Sequence, residues 1–168
     1  MPDNINDSLG VDLGNVIIDH LGFGTTTEYF AHGNYNAIPP VPGVFNALKQ
    51  LSQRRFSGRI FVVYNANDVA DQKILSWLKF NNFFGRTGIS PDRVKRSPQG
   101  RDKSAICELY EATHFVDDRL EVLGYLVGKI KNLYLLRPQI EEVNMFKHFI
   151  TAVTPIKSWD EALKILLT

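Results

Sequence analysis

The sequence predicts an α/β protein: one Rossmann-like domain over residues 1–168, with a parallel sheet between two helical layers, αβα. Three observations predict it. Apolar runs too continuous to alternate, such as Ile60-Phe61-Val62-Val63, suit strands buried on both faces. Apolar stripes at helical spacing lie between those runs. The two kinds of segment take turns along the chain, with no repeat, low-complexity tract or linker between them.

Val11 to Ile18 reads as an apolar strand broken at Gly14. Residues 20–41 are rich in Gly, Thr, Asn and aromatics and read as a loop or flap. Its Phe23, Tyr29, Phe30 and Tyr35 suit either a small lid or ordinary packing. Pro42-Gly43 opens a helix whose apolar face is Val44, Ala47, Leu48 and Leu51. After the Ile60–Val63 strand, Asn67 or Asp68 can cap a helix with Ala70, Ile74, Trp77 and Leu78 inward. Residues 85–104 are the least regular part and carry Arg86, Arg93, Lys95, Arg96, Arg101 and Lys103. Asp102 can cap a helix with Ala105, Ile106 and Leu109 on its inner face. His114-Phe115-Val116 is a short strand, followed by a helical stripe of Leu120, Leu123, Leu126 and Val127. Leu133 to Leu136 is a strand stopped by Pro138. Ser158 caps a last helix with Ala162, Leu163 and Leu166, and Asp160 and Glu161 complement its dipole.

Composition excludes several classes. With 44% hydrophobic and 22% charged residues, the chain has the make-up of a globular domain rather than a disordered one. A formal net charge of +1 gives no strong nucleic-acid signal. Cys107 is the sole cysteine, so no internal disulfide forms and a reducing compartment fits. No apolar run approaches the ~20 residues of a membrane span. The first residues, Met1-Pro2-Asp3-Asn4-Ile5-Asn6-Asp7, lack a signal peptide's basic and apolar regions. The expectation is a cytoplasmic protein with no membrane partner.

Acidic residues end two of the strand-like segments, at Asp12 and at Asp117-Asp118. Carboxylates at the C-terminal ends of buried parallel strands converge on one crevice, where open α/β sheets bind ligands. Converging carboxylates repel and call for a hard cation, most often Mg²⁺. Each residue also has a plainer reading. Asp12 suits a turn after a strand, and one of Asp117 and Asp118 suits capping a helix that starts near Arg119. Tyr64-Asn65 suits either phosphate binding through turn amides or an ordinary strand-to-helix turn. Lys103, near a helix start, suits either a solvated position or a partner for a phosphate and an aspartate.

In order and spacing, these four segments resemble the haloacid dehalogenase superfamily, most of whose members are Mg²⁺-dependent phosphatases. The resemblance covers roughly residues 8–137. Its first motif is similar to Asp12-Leu13-Gly14-Asn15-Val16, and the segment Pro40-Val41-Pro42-Gly43-Val44 resembles the start of the helix before the second. The second resembles Val62-Val63-Tyr64-Asn65, the third Lys103 with Lys95 as the weaker match, and the fourth His114-Phe115-Val116-Asp117-Asp118. The resemblance implies a nucleophile at Asp12, with Lys103 holding nucleophile and phosphate. It implies phosphate binding by Tyr64, Asn65 and Gly14, and Mg²⁺ on Asp12, the Gly14 carbonyl and Asp117 or Asp118.

The chain departs from the pattern twice. Gly14 stands where the phosphatases place a second Asp, which protonates the leaving group and activates water. General acid–base help is worth ~10²–10⁴ in rate, so slow turnover is expected. Tyr64 stands at the Thr/Ser position unless the register shifts by one, in which case Asn65 takes it. About 20 residues separate Ile18 from the Pro39-Pro40 segment and fewer than 40 separate Asn65 from Lys103, too few for a large cap domain. Cap-less relatives use oligomer neighbours as a lid or act on macromolecules, so a homo-oligomer and a phosphorylated small molecule or macromolecule are the implied partners. The leading expectation is a Mg²⁺-dependent phosphatase-like hydrolase. Its alternatives are a catalytically impaired relative that binds a phosphorylated ligand or partner protein, and dehalogenation or phosphotransfer at the same nucleophile. The missing cap argues against dehalogenation, which needs the small substrate enclosed.

Overall fold

Six short apolar segments become six strands: β1 (Leu9–Val11), β2 (Ile60–Asn65), β3 (Val94–Ser97), β4 (His114–Asp117), β5 (Asn132–Leu136) and β6 (Thr154–Ile156). In the computed structural model, which describes residues 6–20, 30, 34–97 and 102–168, they form one sheet in the order β3-β2-β1-β4-β5-β6. Every pairing is parallel, as the continuous apolar runs predict. β1 is central, with Leu9 opposite both Ile60 and His114 and Val11 opposite both Val62 and Val116. Gly10 is there for want of room: a Cβ would fall 2.4 Å from the Phe115 ring and 2.7 Å from the Phe61 ring.

The helices are α1 (Val44–Arg54), α2 (Asp68–Phe80), α3 (Phe83–Thr87), α4 (Lys103–Leu109), α5 (Leu120–Leu126), α6 (Ile140–Met145) and α7 (Trp159–Leu166). The strand period of two sorts the core into two clusters. Ile60, Val62 and Tyr64 join Leu48 and Leu51 of α1, Ile74 and Trp77 of α2, and Trp159 and Leu166 of α7. Phe61, Val63 and Phe115 join Cys107 of α4 and Leu120, Leu123 and Leu126 of α5. The predicted faces of α1 and α2 are buried, and Asn67 caps α2 by accepting from Ala70 N at 2.9 Å. Ser158 caps α7, accepting from Glu161 N at 3.2 Å.

Four expectations change. The strand expected over 11–18 ends at Val11, and residues 13–18 coil back on themselves. The amides of Val16, Ile17 and Ile18 donate to Leu13 O at 3.3, 2.8 and 3.0 Å. Leu13, Val16, Ile17 and Ile18 are apolar because this turn is buried, not because it is extended. The region 85–104, expected to be irregular, holds the end of α3 and the edge strand β3, whose Lys95 and Arg96 blunt the open edge. On α4 the buried residues are Lys103 and Cys107, while Leu109 is 73% exposed. Val127, expected in the stripe of α5, lies past its end and is half-exposed. The sequence reading also lacked α6 and β6.

Of the flap aromatics, Phe23 and Tyr29 lie outside the described residues. Phe30 is buried, its ring centroid 6.0 Å from that of Tyr35, and its carbonyl accepts from Lys73 Nζ of α2. Trp77 Nε1 of α2 donates to Ile38 O at 2.9 Å. This part of the segment is packing against α2. At the N-terminal edge of the sheet, Arg55 Nη2 lies 2.9 Å from Asp7 Oδ2 and 3.4 Å from His114 Nε2. The opposite edge, beyond Val11, Asn65 and Asp117, holds the predicted site.

Candidate active site

Asp12 continues the ladder one residue past β1: its amide donates to Val116 O at 2.9 Å. That bond fixes the carboxylate beside the end of β4. Lys103, the first residue of α4, arrives from the helix that packs on the Phe115 face of the sheet. Its Nζ donates to Asp12 Oδ1 at 2.6 Å and to Asp117 Oδ2 at 3.0 Å. It also lies 5.9 Å from the centroid of the Phe115 ring. Asp117 Oδ1 accepts from Arg119 N at 3.0 Å, so both of its oxygens are committed within the protein. Asp118 Oδ2 accepts from Asn15 Nδ2 at 3.3 Å. Among the described residues, Asp118 Oδ1 takes no hydrogen bond from the protein, while the Asp12 carboxylate also accepts from the backbone of Leu13.

The structure therefore brings together Asp12, Lys103, Asp117 and Asp118, all buried. One carboxylate oxygen from each of the three aspartates lies within 4.8 Å of the others. Three carboxylates face one ammonium, and the titration behaviour follows. Burial first, then the charge of Asp117, pushes the Asp12 carboxyl up to about 6 against the pull of Lys103. Burial, then Asp117 and Asp12, holds Asp118 well above the usual carboxylate range. Burial works against the charge of Lys103, yet Asp117 and Asp12 outweigh it and keep the ammonium protonated. The donor set is hard oxygen with excess negative charge, and it fits a Mg²⁺-type cation. The oxygens left over for one are those of Asp12 and Asp118, while Asp117 serves Lys103.

The remaining candidates lie at the same sheet edge. Gly14 is half-buried in the 13–18 turn, bridged to Ile18. The Tyr64 hydroxyl is committed to Asp71 of α2 at 2.5 Å, and burial, then Asp71, raises it above the usual phenol range. Tyr64 packs with Ile60 and Val62. Strand alternation puts Asn65, not Tyr64, on the face of Phe61, Val63 and Lys103. Asn65 is exposed at the end of β2. Lys95 sits on the edge strand β3, so Lys103 is the lysine of the cluster. Sequence reasoning gave no role to Asn15, whose φ is +58°. Its signal is an asparagine inside a turn, the non-glycine residue that best tolerates that conformation.

No family model matches the chain, and no curated protein matches it. Among solved structures it is similar to D,D-heptose 1.7-bisphosphate phosphatase from B. bronchiseptica, complexed with magnesium and phosphate. The TM-score is 0.63 at 12% identity, covering 95% of this chain and 98% of that one. A de novo designed Rossmann 3x3 protein matches at TM-score 0.42 and 11% identity over 72% of this chain and 81% of the design, too low to bear on the fold. The first likeness shows the fold: a Rossmann-like parallel α/β sheet flanked by helices. Among the described residues no helix is long and apolar enough to cross a membrane.

Proposed function

We propose that the protein is a Mg²⁺-dependent, phosphatase-like hydrolase that works through an aspartyl-phosphate on Asp12. The observation that supports this most is the buried pair of Asp12 and Lys103 inside a three-carboxylate cluster at the ligand-binding edge of the sheet. Asp12 attacks phosphorus through one carboxylate oxygen, and the bond from phosphorus to the ester oxygen breaks. Lys103 neutralises Asp12 and the incoming phosphoryl group, and Asp117 with Arg119 N holds Lys103 in line. Asp12 and Asp118 hold Mg²⁺, with the Gly14 carbonyl as a third donor. When bound, Mg²⁺ supplies positive charge to the phosphoryl oxygens. Asn65 binds phosphate from the end of β2, and Tyr64 shapes that end by its bond to Asp71.

With Gly14 in the second-Asp position, the leaving oxygen takes its proton from water, and water attacks the aspartyl-phosphate without a carboxylate base. Turnover is slow and favours substrates whose leaving group needs no proton. The substrate is a phosphorylated small molecule or macromolecule in a reducing, cytoplasmic setting, and a neighbouring copy closes the uncapped site. The test is steady-state kinetics on aryl and alkyl phosphates, with Mg²⁺ and with chelator, for wild type and Asp12→Asn. Mg²⁺-dependent turnover of aryl esters that is lost in Asp12→Asn supports the reading. Indistinguishable wild type and Asp12→Asn on every ester overturns it and leaves the protein that binds a phosphorylated ligand without hydrolysing it, which Gly14 favours.

A further inference from the structure

Asn15 bridges the carboxylate cluster and the backbone that leaves the 13–18 turn. Its Nδ2 donates to Asp118 Oδ2 at 3.3 Å, and its Oδ1 accepts from His20 N at 3.3 Å. Its own amide donates to Ile18 O at 2.8 Å, and the side chain is buried, 5% exposed. Both ends of the carboxamide are thus used, one on a carboxylate of the cluster and one on the backbone leaving the 13–18 turn. The residue type is dictated from two sides. A φ of +58° admits glycine or asparagine most readily, and only asparagine also brings a donor and an acceptor. Aspartate would set a second carboxylate against Asp118, and alanine would lose both bonds in a strained backbone.

We infer that Asn15 is a positioning residue for cation binding: it takes one oxygen of Asp118, leaves Asp118 Oδ1 for the cation, and fixes that choice to the backbone at His20. The inference rests on the reading of Asp12 and Asp118 as the cation-holding pair. Among the described residues the Asn15 side chain bonds Asp118 and not Asp12, so it acts through Asp118. Groups that orient a metal ligand in this way typically account for 10–100-fold in metal affinity.

The experiment is Mg²⁺ titration by calorimetry on wild type, Asn15→Gly and Asp118→Asn, with unfolding temperature measured in chelator. Glycine accepts the backbone angle, so Asn15→Gly loses only the two side-chain bonds: its metal-free unfolding temperature falls modestly, while Mg²⁺ affinity falls about 10–100-fold. A merely structural role predicts the lower unfolding temperature with unchanged affinity. A measurement on unmutated protein guards against a variant that fails to fold. The ¹H–¹⁵N resonances of the Asn15 side-chain amide and the His20 backbone amide shift together, saturably, as Mg²⁺ is added. Equal affinity in wild type and Asn15→Gly, or Asn15 resonances that ignore bound Mg²⁺, overturns the role of Asn15 alone. Wild type that binds no Mg²⁺ overturns the cation-holding pair itself and the inference with it.

Discussion

Lys103 sets the charge balance of the whole site. It is the only cation bonded to the cluster among the described residues, and it answers two aspartates at 2.6 and 3.0 Å. Removing one partner of such a buried group is costly, so Lys103→Met lowers metal-free stability by about 3 kcal/mol. Urea denaturation at pH 8 in chelator measures this. Gly14 makes the opposite kind of prediction. It does not use a positive φ, so a side chain meets no backbone penalty there. Gly14→Asp raises turnover on alkyl phosphates toward the ~10²-fold end of general acid–base help and narrows the gap to aryl esters. Steady-state kinetics on both ester types checks it. Asp12, Asp117 and Asp118 were legible because acids at strand ends stand out in an apolar sequence. Lys103 was legible only through motif order, since it lies far from Asp12 in sequence and its bonds arise from how α4 docks. Asn15 was not legible, because a backbone angle, a local bond from His20 and a long-range bond to Asp118 leave no trace in composition.

At the scale of elements, legibility followed burial geometry. α1, α2 and α7 bury one stripe each, so their period shows in the sequence. α4 buries a lysine and a cysteine, residues that a search for apolar stripes passes over. β6 is a three-residue edge strand containing Pro155, and β3 is an edge strand with charges, so neither carries the apolar run of a central strand. The turn at 13–18 mimicked a strand because Leu13, Val16, Ile17 and Ile18 are apolar and buried. Gly10 looked incidental, yet it lets Phe61 and Phe115 meet across β1. Gly10→Ala forces a Cβ into those rings and costs about 3 kcal/mol, measurable as a lower urea midpoint with unchanged slope.

The two edges of the sheet respond to pH in opposite senses. At the carboxylate edge, burial holds Asp12 at about 6, so acid relieves the cluster. At the other edge, burial, then Arg55, depresses His114 to about 4 from 6.5. Between these two values the unfolded chain binds the proton and the folded one does not. The contribution of His114 is therefore complete above pH 6.5 and is lost as pH falls toward 4, to the extent of about 2–3 kcal/mol. Denaturation of wild type and His114→Gln at pH 7 and pH 5 isolates it: wild type loses more stability than the variant over that interval. Adding Mg²⁺ at a hundredfold excess over its Kd stabilises the whole domain by about 2.7 kcal/mol, read as a rise in Tm that vanishes in Asp12→Asn.

The central place of β1 has a consequence for how the chain comes to be folded. β1, which leads into Asp12, precedes both of its neighbours in the chain, and these begin at Ile60 and His114. A growing chain can pair one edge of β1 once β2 has emerged, and the other edge stays open until β4 follows. Pairings this distant in sequence slow the search for the native arrangement and leave an unpaired apolar edge exposed meanwhile. Asp12, Lys103 and the paired aspartates thus meet only once β4 and Asp118 have emerged, and a chain stalled before residue 114 lacks the strand that completes the cluster.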